Sequence, residues 1–325
     1  MDIVSKFHEV FGGQNRQPHD FQLFQFTSDL LIGQDSDQNA VIVCKSNQPA
    51  RAIIRQKTRK LSIECNVRVT YTVDGVPETG VVHIVRCFAS DEKERDIFLQ
   101  LCPMFIDASV CDDQEQALLE LISILTAFFA NCSEPSNQEL QGLFSELFTI
   151  WSYRDKFDFG SHWQSNDRMK FDFSITDKVK VEIKSTQKNE RKHHFRHEQL
   201  IGDVYSIFVV SYMLRPDDEG LSLYDLIAMT KPLIAADPRR LLILAKYEKN
   251  TSEQRLQQLK FNETITESKR KIYRALDIPR FSEATPVGVT NAEYDCLLEN
   301  VPDIGEESFI AQLASADNFS LLSRE

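Results

Sequence analysis

Across 325 residues the chain has no continuous apolar run near the ~20 residues that a membrane-spanning helix needs. Met1–Val10 carries charges and no apolar core segment, so no signal peptide is expected there. The seven cysteines are scattered, odd in number and free of any C-x2-C pair. That pattern speaks against a zinc ribbon or a disulfide framework and for buried free thiols in a reducing cytoplasm. Glycine is scarce, and its 11 residues build neither a Walker A loop nor a dinucleotide fingerprint. ATP hydrolysis and NAD binding by this chain are therefore not expected. Asp158-Phe159-Gly160 spells a kinase triplet, but no glycine-rich or catalytic-loop motif accompanies it. His197-Glu198 opens like a zinc-protease motif, yet Ile201 takes the place of the second histidine. Repeats and low-complexity tracts are absent too. Positive charge is in short supply: 37 Lys and Arg face 49 Asp and Glu, for a net charge of −12. Such a chain is a poor indiscriminate binder of polyanions.

What is present is a pair of strictly alternating segments. Over Met169–Thr176, the apolar Met169, Phe171, Phe173 and Ile175 alternate with Lys170, Asp172 and Ser174. Over Val179–Ser185, Val179, Val181 and Ile183 alternate with Lys180, Glu182 and Lys184. Period-two alternation predicts half-buried strands, and Thr176-Asp177-Lys178 reads as the turn of a hairpin. That turn sets Ile175 against Val179, Phe173 against Val181 and Phe171 against Ile183. It also sets Asp172 opposite Glu182, with Lys184 one diagonal step away. Two carboxylates facing each other at roughly 5 Å repel. A divalent cation between them would turn that cost into a binding site. Mg²⁺ takes one or two carboxylates with waters and phosphate oxygens, and a cation so held polarises a phosphodiester and activates water. Lys184 would hold the attacking water or offset charge on phosphorus.

The string D-xn-E-x-K recurs by chance in chains of this length, so its surroundings matter. Upstream, Ser136 and Glu139 form a capping box. The helix it opens carries Leu140, Leu143, Phe144, Leu147 and Trp151 as its apolar stripe, with Glu146 beside it. Downstream, Arg191, His194 and Gln199 are expected on a basic helix. A long helix is expected to continue from Gln199 through Tyr205, Phe208, Val209 and Met213. Lys178–Arg196 holds seven Lys and Arg against two acidic residues, a local basic stripe that includes Lys188, Lys192 and Arg196. His193 and His197 read more simply as parts of this surface than as a metal pair. Trp163 reads as packing, though its place near the hairpin makes it worth testing.

The order Glu146, Phe171-Asp172-Phe173, Val181-Glu182-Ile183-Lys184-Ser185-Thr186, Arg191-Lys192-His193-His194, Gln199-Leu200 resembles the PD-(D/E)XK nuclease superfamily. More narrowly, it is similar to the "PD-(D/E)XK motif proteins" of bacterial restriction and phage-defence clusters. The specific match covers about residues 136–205. The superfamily's proline is missing, because Phe171 precedes Asp172, as in many members.

The resemblance implies an α/β (α+β) fold with a restriction-endonuclease-like core of mixed β-sheet flanked by helices. Residues 1–110 are expected to form a β-rich module for DNA or partner recognition. Residues 111–215 would be the nuclease core, and 216–325 a mainly helical extension of it that supplies interaction surface. Expected strands in the first region are Phe21–Phe26, Ala40–Cys44, Ala50–Arg55, Leu61–Thr72 and Gly80–Phe88, with a turn at Asp74-Gly75 and helices from near Asp112. Metal ligands would be Asp172, Glu182, the Ile183 carbonyl and Glu146, with Lys184 completing the catalytic set. Lys188, Arg191, Lys192, His194, Arg196 and Gln199 would contact phosphate or support the site. Mg²⁺ is the expected cofactor, with Mn²⁺ as its substitute. The expected reaction is DNA cleavage in the cytoplasm, in a homodimer or a complex with other defence proteins, because cutting both strands needs two sites. The alternative is a non-catalytic nuclease-like scaffold, and a narrower rival is an RNA nuclease.

Overall fold

The computed structural model describes residues 3–11, 21–46, 52–89, 91–108, 123–129, 134–164, 170–201, 204–281, 289 and 292–322. It divides into two compact units, Met1–Cys132 and Ser133–Glu325. Among the described residues no helix is long and apolar enough to cross a membrane. Cys44, Cys65, Cys87 and Cys296 are buried.

The first unit opens with α1 (Ile3–Phe11) and six strands: β1 (Phe21–Gln25), β2 (Leu30–Asp35), β3 (Ala40–Lys45), β4 (Ile54–Lys57), β5 (Leu61–Val73) and β6 (Val76–Cys87). The sheet order is β1-β2-β3-β6-β5-β4, and a parallel pairing of Gln22 and Leu23 with Thr72 and Val73 closes it into a small barrel. Inward-facing Leu23, Leu31, Val41, Val43, Val82 and Ile84 fill it. Asp74 and Gly75 adopt positive φ, which suits the two-residue hairpin between β5 and β6. A Cβ on Gly33 would lie 1.9 Å from the Gln22 carbonyl oxygen, so only glycine lets β1 and β2 approach there. Helix α2 (Glu92–Ala108) and the helical residues 123–129 (α3) follow. The sequence reading omitted β2 and α2, and began the helices too late. Of the helices expected from near Asp112, residues 112–122 lie outside the described residues, and 123–129 are helical.

In the second unit, α4 (Asn137–Tyr153) starts at the predicted box: the Ser136 side chain accepts from the Glu139 N–H, and Glu139 accepts from the Ser136 N–H. A single 3-10 turn at Gly160–His162 leads to β7 (Phe173–Ser174), β8 (Val179–Thr186), β9 (Lys192–Arg196), a second 3-10 turn at His197–Gln199, and β10 (Ser206–Met213). The chain continues through β11 (Pro216–Ser222), α5 (Leu223–Ile234), α6 (Pro238–Asn250), α7 (Glu253–Gln258), β12 (Lys260–Phe261) and α8 (Glu263–Ser268). It ends with β13 (Lys271–Arg274), β14 (Glu293–Leu297) and α9 (Glu306–Leu322). The central sheet has the order β13-β10-β8-β7, with β8 and β10 parallel and the other pairs antiparallel.

Two expected helices are strands. Residues 206–213 read Ser-Ile-Phe-Val-Val-Ser-Tyr-Met, and every residue from Ile207 to Tyr212 is buried. A continuous apolar run rich in β-branched and aromatic residues is what an interior parallel strand needs, because both its faces are covered. Phe208, Val210 and Tyr212 meet Leu143, Phe144 and Leu147 of α4, with Phe309 of α9, while Ile207 and Val209 meet Phe195 and Tyr273 on the other side. The Tyr212 hydroxyl finds Thr149 at 3.0 Å, so this polar group is not stranded in the core. The supposed basic helix at Arg191–Gln199 is β9 and a 3-10 turn. His193, Phe195 and His197 are buried, while Lys192, His194 and Arg196 are exposed, a period of two. Pro216–Gly220, despite its proline, its glycine and three acidic residues, runs as part of β11.

Candidate active site

β7 and β8 pair in the expected register, Phe173 with Val181 and Ser174 with Lys180, and the Ile175 N–H reaches the Val179 carbonyl at 3.0 Å. The ladder is shorter than the alternation predicts: Phe171 lies beyond it and packs with Phe195 and Tyr205 instead of with Ile183, and Met169 lies outside the described residues. Where β7 stops at Phe173, the Ile183 N–H loses a backbone acceptor and donates instead to Asp172 Oδ2 at 2.6 Å. The Asp172 carboxylate thus stands beside β8 at Glu182-Ile183-Lys184. In the parallel pairing Glu182 lies next to Val209 and Lys184 next to Ser211, so both belong to the face that β9 covers.

Glu182 is 4% exposed. Its Oε1 accepts from Gln199 Nε2 at 2.6 Å and from Lys184 Nζ at 2.8 Å. Its Oε2 is buried with no hydrogen-bond partner. Glu146 comes from the middle of α4, and its Oε2 accepts from Trp163 Nε1 at 2.7 Å and Gln164 Nε2 at 3.1 Å. Asp172, Glu146, Glu182 and Lys184 share one electrostatic field. Burial, then the charges of Glu182 and Glu146, push the Asp172 carboxyl well above its ordinary range, despite the Ile183 N–H. Burial pushes Glu146 up to about 7, with Glu182 adding to the rise and the Trp163 and Gln164 hydrogen bonds opposing it. For Lys184, burial opposes the charge, but Glu182 and Asp172 outweigh it and hold the ammonium above its usual pKa.

The other predicted residues separate into two groups. Gln199 joins the site through Glu182. Arg191 is 3% exposed and turned inward. Its guanidinium donates to the Ser211 carbonyl at 2.9 Å, to the Ser211 hydroxyl at 2.8 Å and to the Lys269 carbonyl, so it ties the entrance of β9 to β10 and to the end of α8. Lys192, His194 and Arg196 form an outward row on β9, but β14 pairs with that strand and meets the row with carboxylates. Lys192 lies 2.8 Å from Asp295, His194 3.1 Å from Asp295 and 3.2 Å from Glu293, and Arg196 3.4 Å from Glu293. Lys188 is exposed on the β8–β9 turn.

Sequence reasoning missed two supports. Trp163, read as packing, is buried and also holds Glu146, and Gln164 was not singled out at all. Buried His193 shares the Ser211 hydroxyl at 2.7 Å with Arg191, and burial with nearby Lys184 and Arg191 drives its pKa down to about 4. It is a neutral wall of the site.

A mixed sheet that brings a helix-borne Glu, an Asp and a Glu-x-Lys triplet together in this chain order has the residue pattern of the PD-(D/E)XK class. The family model described as "Putative PD-(D/E)XK family member, (DUF4420)" matches residues 13–299, and the chain belongs to that family within the PD-(D/E)XK nuclease superfamily. No curated protein and no solved structure matches the chain.

Among the described residues, no three His, Cys, Asp or Glu side chains stand as a ready-made metal set. Mg²⁺ needs only one or two carboxylates from the protein. The relevant test is whether a carboxylate oxygen awaits a partner, and Glu182 Oε2 does. Gln199 is what aims that carboxylate. Gln199→Ala is expected to lower unfolding stability by about 1–2 kcal/mol, since a buried acceptor loses its short donor. An unchanged urea midpoint would show that Lys184 alone satisfies Glu182 Oε1.

Proposed function

We propose that the chain is a Mg²⁺-dependent DNA endonuclease of a restriction or phage-defence system, built on a restriction-endonuclease-like core. The observation that carries this reading is the buried, unpartnered Glu182 Oε2 in a field of two further carboxylates and a lysine. Buried like charges are costly unless something offsets them, and a divalent cation at Asp172, Glu182 and the Ile183 carbonyl would do so. When bound, it supplies Lewis-acid polarisation of the phosphodiester and a more acidic water. Glu146 is the third acid, positioned by Trp163 and Gln164, and burial raises its pKa to about 7, where it can exchange a proton with water. Lys184 stays charged and faces the developing negative charge on phosphorus. Gln199 orients Glu182 and excludes water behind it. The N-terminal barrel is assigned the recognition of DNA or of a partner protein, and Mn²⁺ is expected to replace Mg²⁺.

The scaffold alternative draws support from the carboxylates that already neutralise Lys192, His194 and Arg196. The two readings part on one experiment. Purified protein is incubated with circular and linear duplex DNA, with Mg²⁺, Mn²⁺ or EDTA, beside Glu182→Ala. The enzyme reading requires metal-dependent cutting by wild type and a loss of at least about 10²-fold in the variant. Absence of cutting, together with no Mg²⁺ binding by calorimetry, would favour the scaffold; an RNA substrate cut in place of DNA would favour the narrower rival.

A further inference from the structure

A cleft of about 580 Å³ opens beside Lys184, between the first turns of α4, the end of β8 and the start of β9. Its lining is unusual for a chain with a net charge of −12. Lys184, Lys188 and Lys192 face it, and its one carboxylate, Asp295, is already paired with Lys192. Lys188 makes no ion pair among the described residues. The end of α4 is not the attraction here, since the Ser136–Glu139 box closes it. Amides join hydroxyls and two imidazoles in the rest of the polar surface. Gln141 Nε2 donates to the Ser185 hydroxyl at 3.0 Å, and Gln187 Nε2 donates to Gln141 Oε1 at 2.8 Å. This relay spends both functions of Gln141 on fixing its neighbour. It leaves exposed Gln187 with one N–H and one carbonyl oxygen to offer outward. A paired donor and acceptor from one amide matches the N6 and N7 edge of adenine, and the ammonium of Lys188, the cleft lysine left without a carboxylate, matches a phosphate.

We infer that this cleft, continuous with the proposed active site through Lys184, seats the DNA strand flanking the scissile phosphate. Lys188 contacts a phosphate there, and Gln187, held by Gln141, reads an adenine at a fixed step from the cut. The inference rests on the nuclease reading and adds a base preference to it. Neither the family match nor the hairpin residues assign one.

The test is cleavage of a duplex pool randomised on both sides of a fixed core, with the cut ends sequenced. Wild type is expected to leave adenine enriched about tenfold at one position relative to the break, a factor within the range of one bidentate contact. Gln187→Ala should flatten that position while total cutting stays within about threefold of wild type. Gln187→Glu, which can only accept, should move the preference toward cytosine. In EDTA, fluorescence anisotropy with a labelled duplex should show Lys188→Gln binding more weakly, with a salt slope lower by about one. Cutting whose end profile is the same in wild type and Gln187→Ala overturns the inference and leaves the nuclease reading standing. A wild-type protein that neither binds nor cuts the pool overturns both.

Discussion

Asp172→Asn is expected to move activity and stability in opposite directions. Its amide oxygen can still accept the Ile183 N–H that Asp172 Oδ2 now takes at 2.6 Å, so the end of the hairpin keeps its tie. What the substitution removes is a charge that burial, Glu182 and Glu146 all disfavour. Without divalent cation the variant should therefore be more stable than wild type by about 1–2 kcal/mol, a gain typical of relieving strain at a functional site. That corresponds to a rise of about 4 °C in the melting temperature for a unit of this size. Mg²⁺-dependent cleavage should fall by about 10²–10³-fold or more, since the proposed metal set has lost its first ligand. Thermal melts in EDTA and a cleavage time course check both halves. A variant that melts earlier and still cuts would show Asp172 to be a structural carboxylate and would end its assignment as a ligand.

How much of this was legible in the sequence follows from which interactions are local. The hairpin register was readable because alternation fixes which face each residue takes, and Phe173 does meet Val181. The start of α4 was readable because a capping box satisfies its own backbone donors within four residues. Strands β9 and β10 were misread for opposite reasons. His193 and His197 stand four apart, a spacing that fits one helix face, yet an even spacing also fits one strand face, and the buried Phe195 between them decides for the strand. In β10 the run from Ile207 to Val210 is apolar throughout, and periodicity cannot separate a buried strand from a buried helix. Its β-branched and aromatic content was the usable signal. The Trp163–Glu146 bond was beyond reach, because it joins a loop to a helix through a fold that no local pattern specifies. The neutralised basic row was equally hidden, since Glu293 and Asp295 lie about 100 residues downstream of the residues they meet.

Glu146→Gln should expose the electrostatic load of the site through pH. The Glu146 carboxyl is raised from an ordinary 4.5 to about 7 in the folded chain. Between those values the folded protein keeps a proton that the unfolded chain has released. Stability therefore falls as pH rises across that window: the contribution is whole below about pH 4.5 and lost above about pH 7. The shift amounts to about 3 kcal/mol, reduced to the extent that water reaches this partly buried group. Glutamine does not titrate, and its side-chain oxygen can still accept from Trp163 and Gln164. The stability difference between variant and wild type, measured by urea unfolding in EDTA, should thus grow in the variant's favour from near zero at pH 4.5 toward that value at pH 8. Millimolar Mg²⁺ should shrink it, because a cation held near Glu182 offsets the field that Glu146 works against. A difference that stays flat with pH would mean that Glu146 ionises as freely as it does in water, and the site would then lack the crowding of negative charge on which its reading as a metal centre depends.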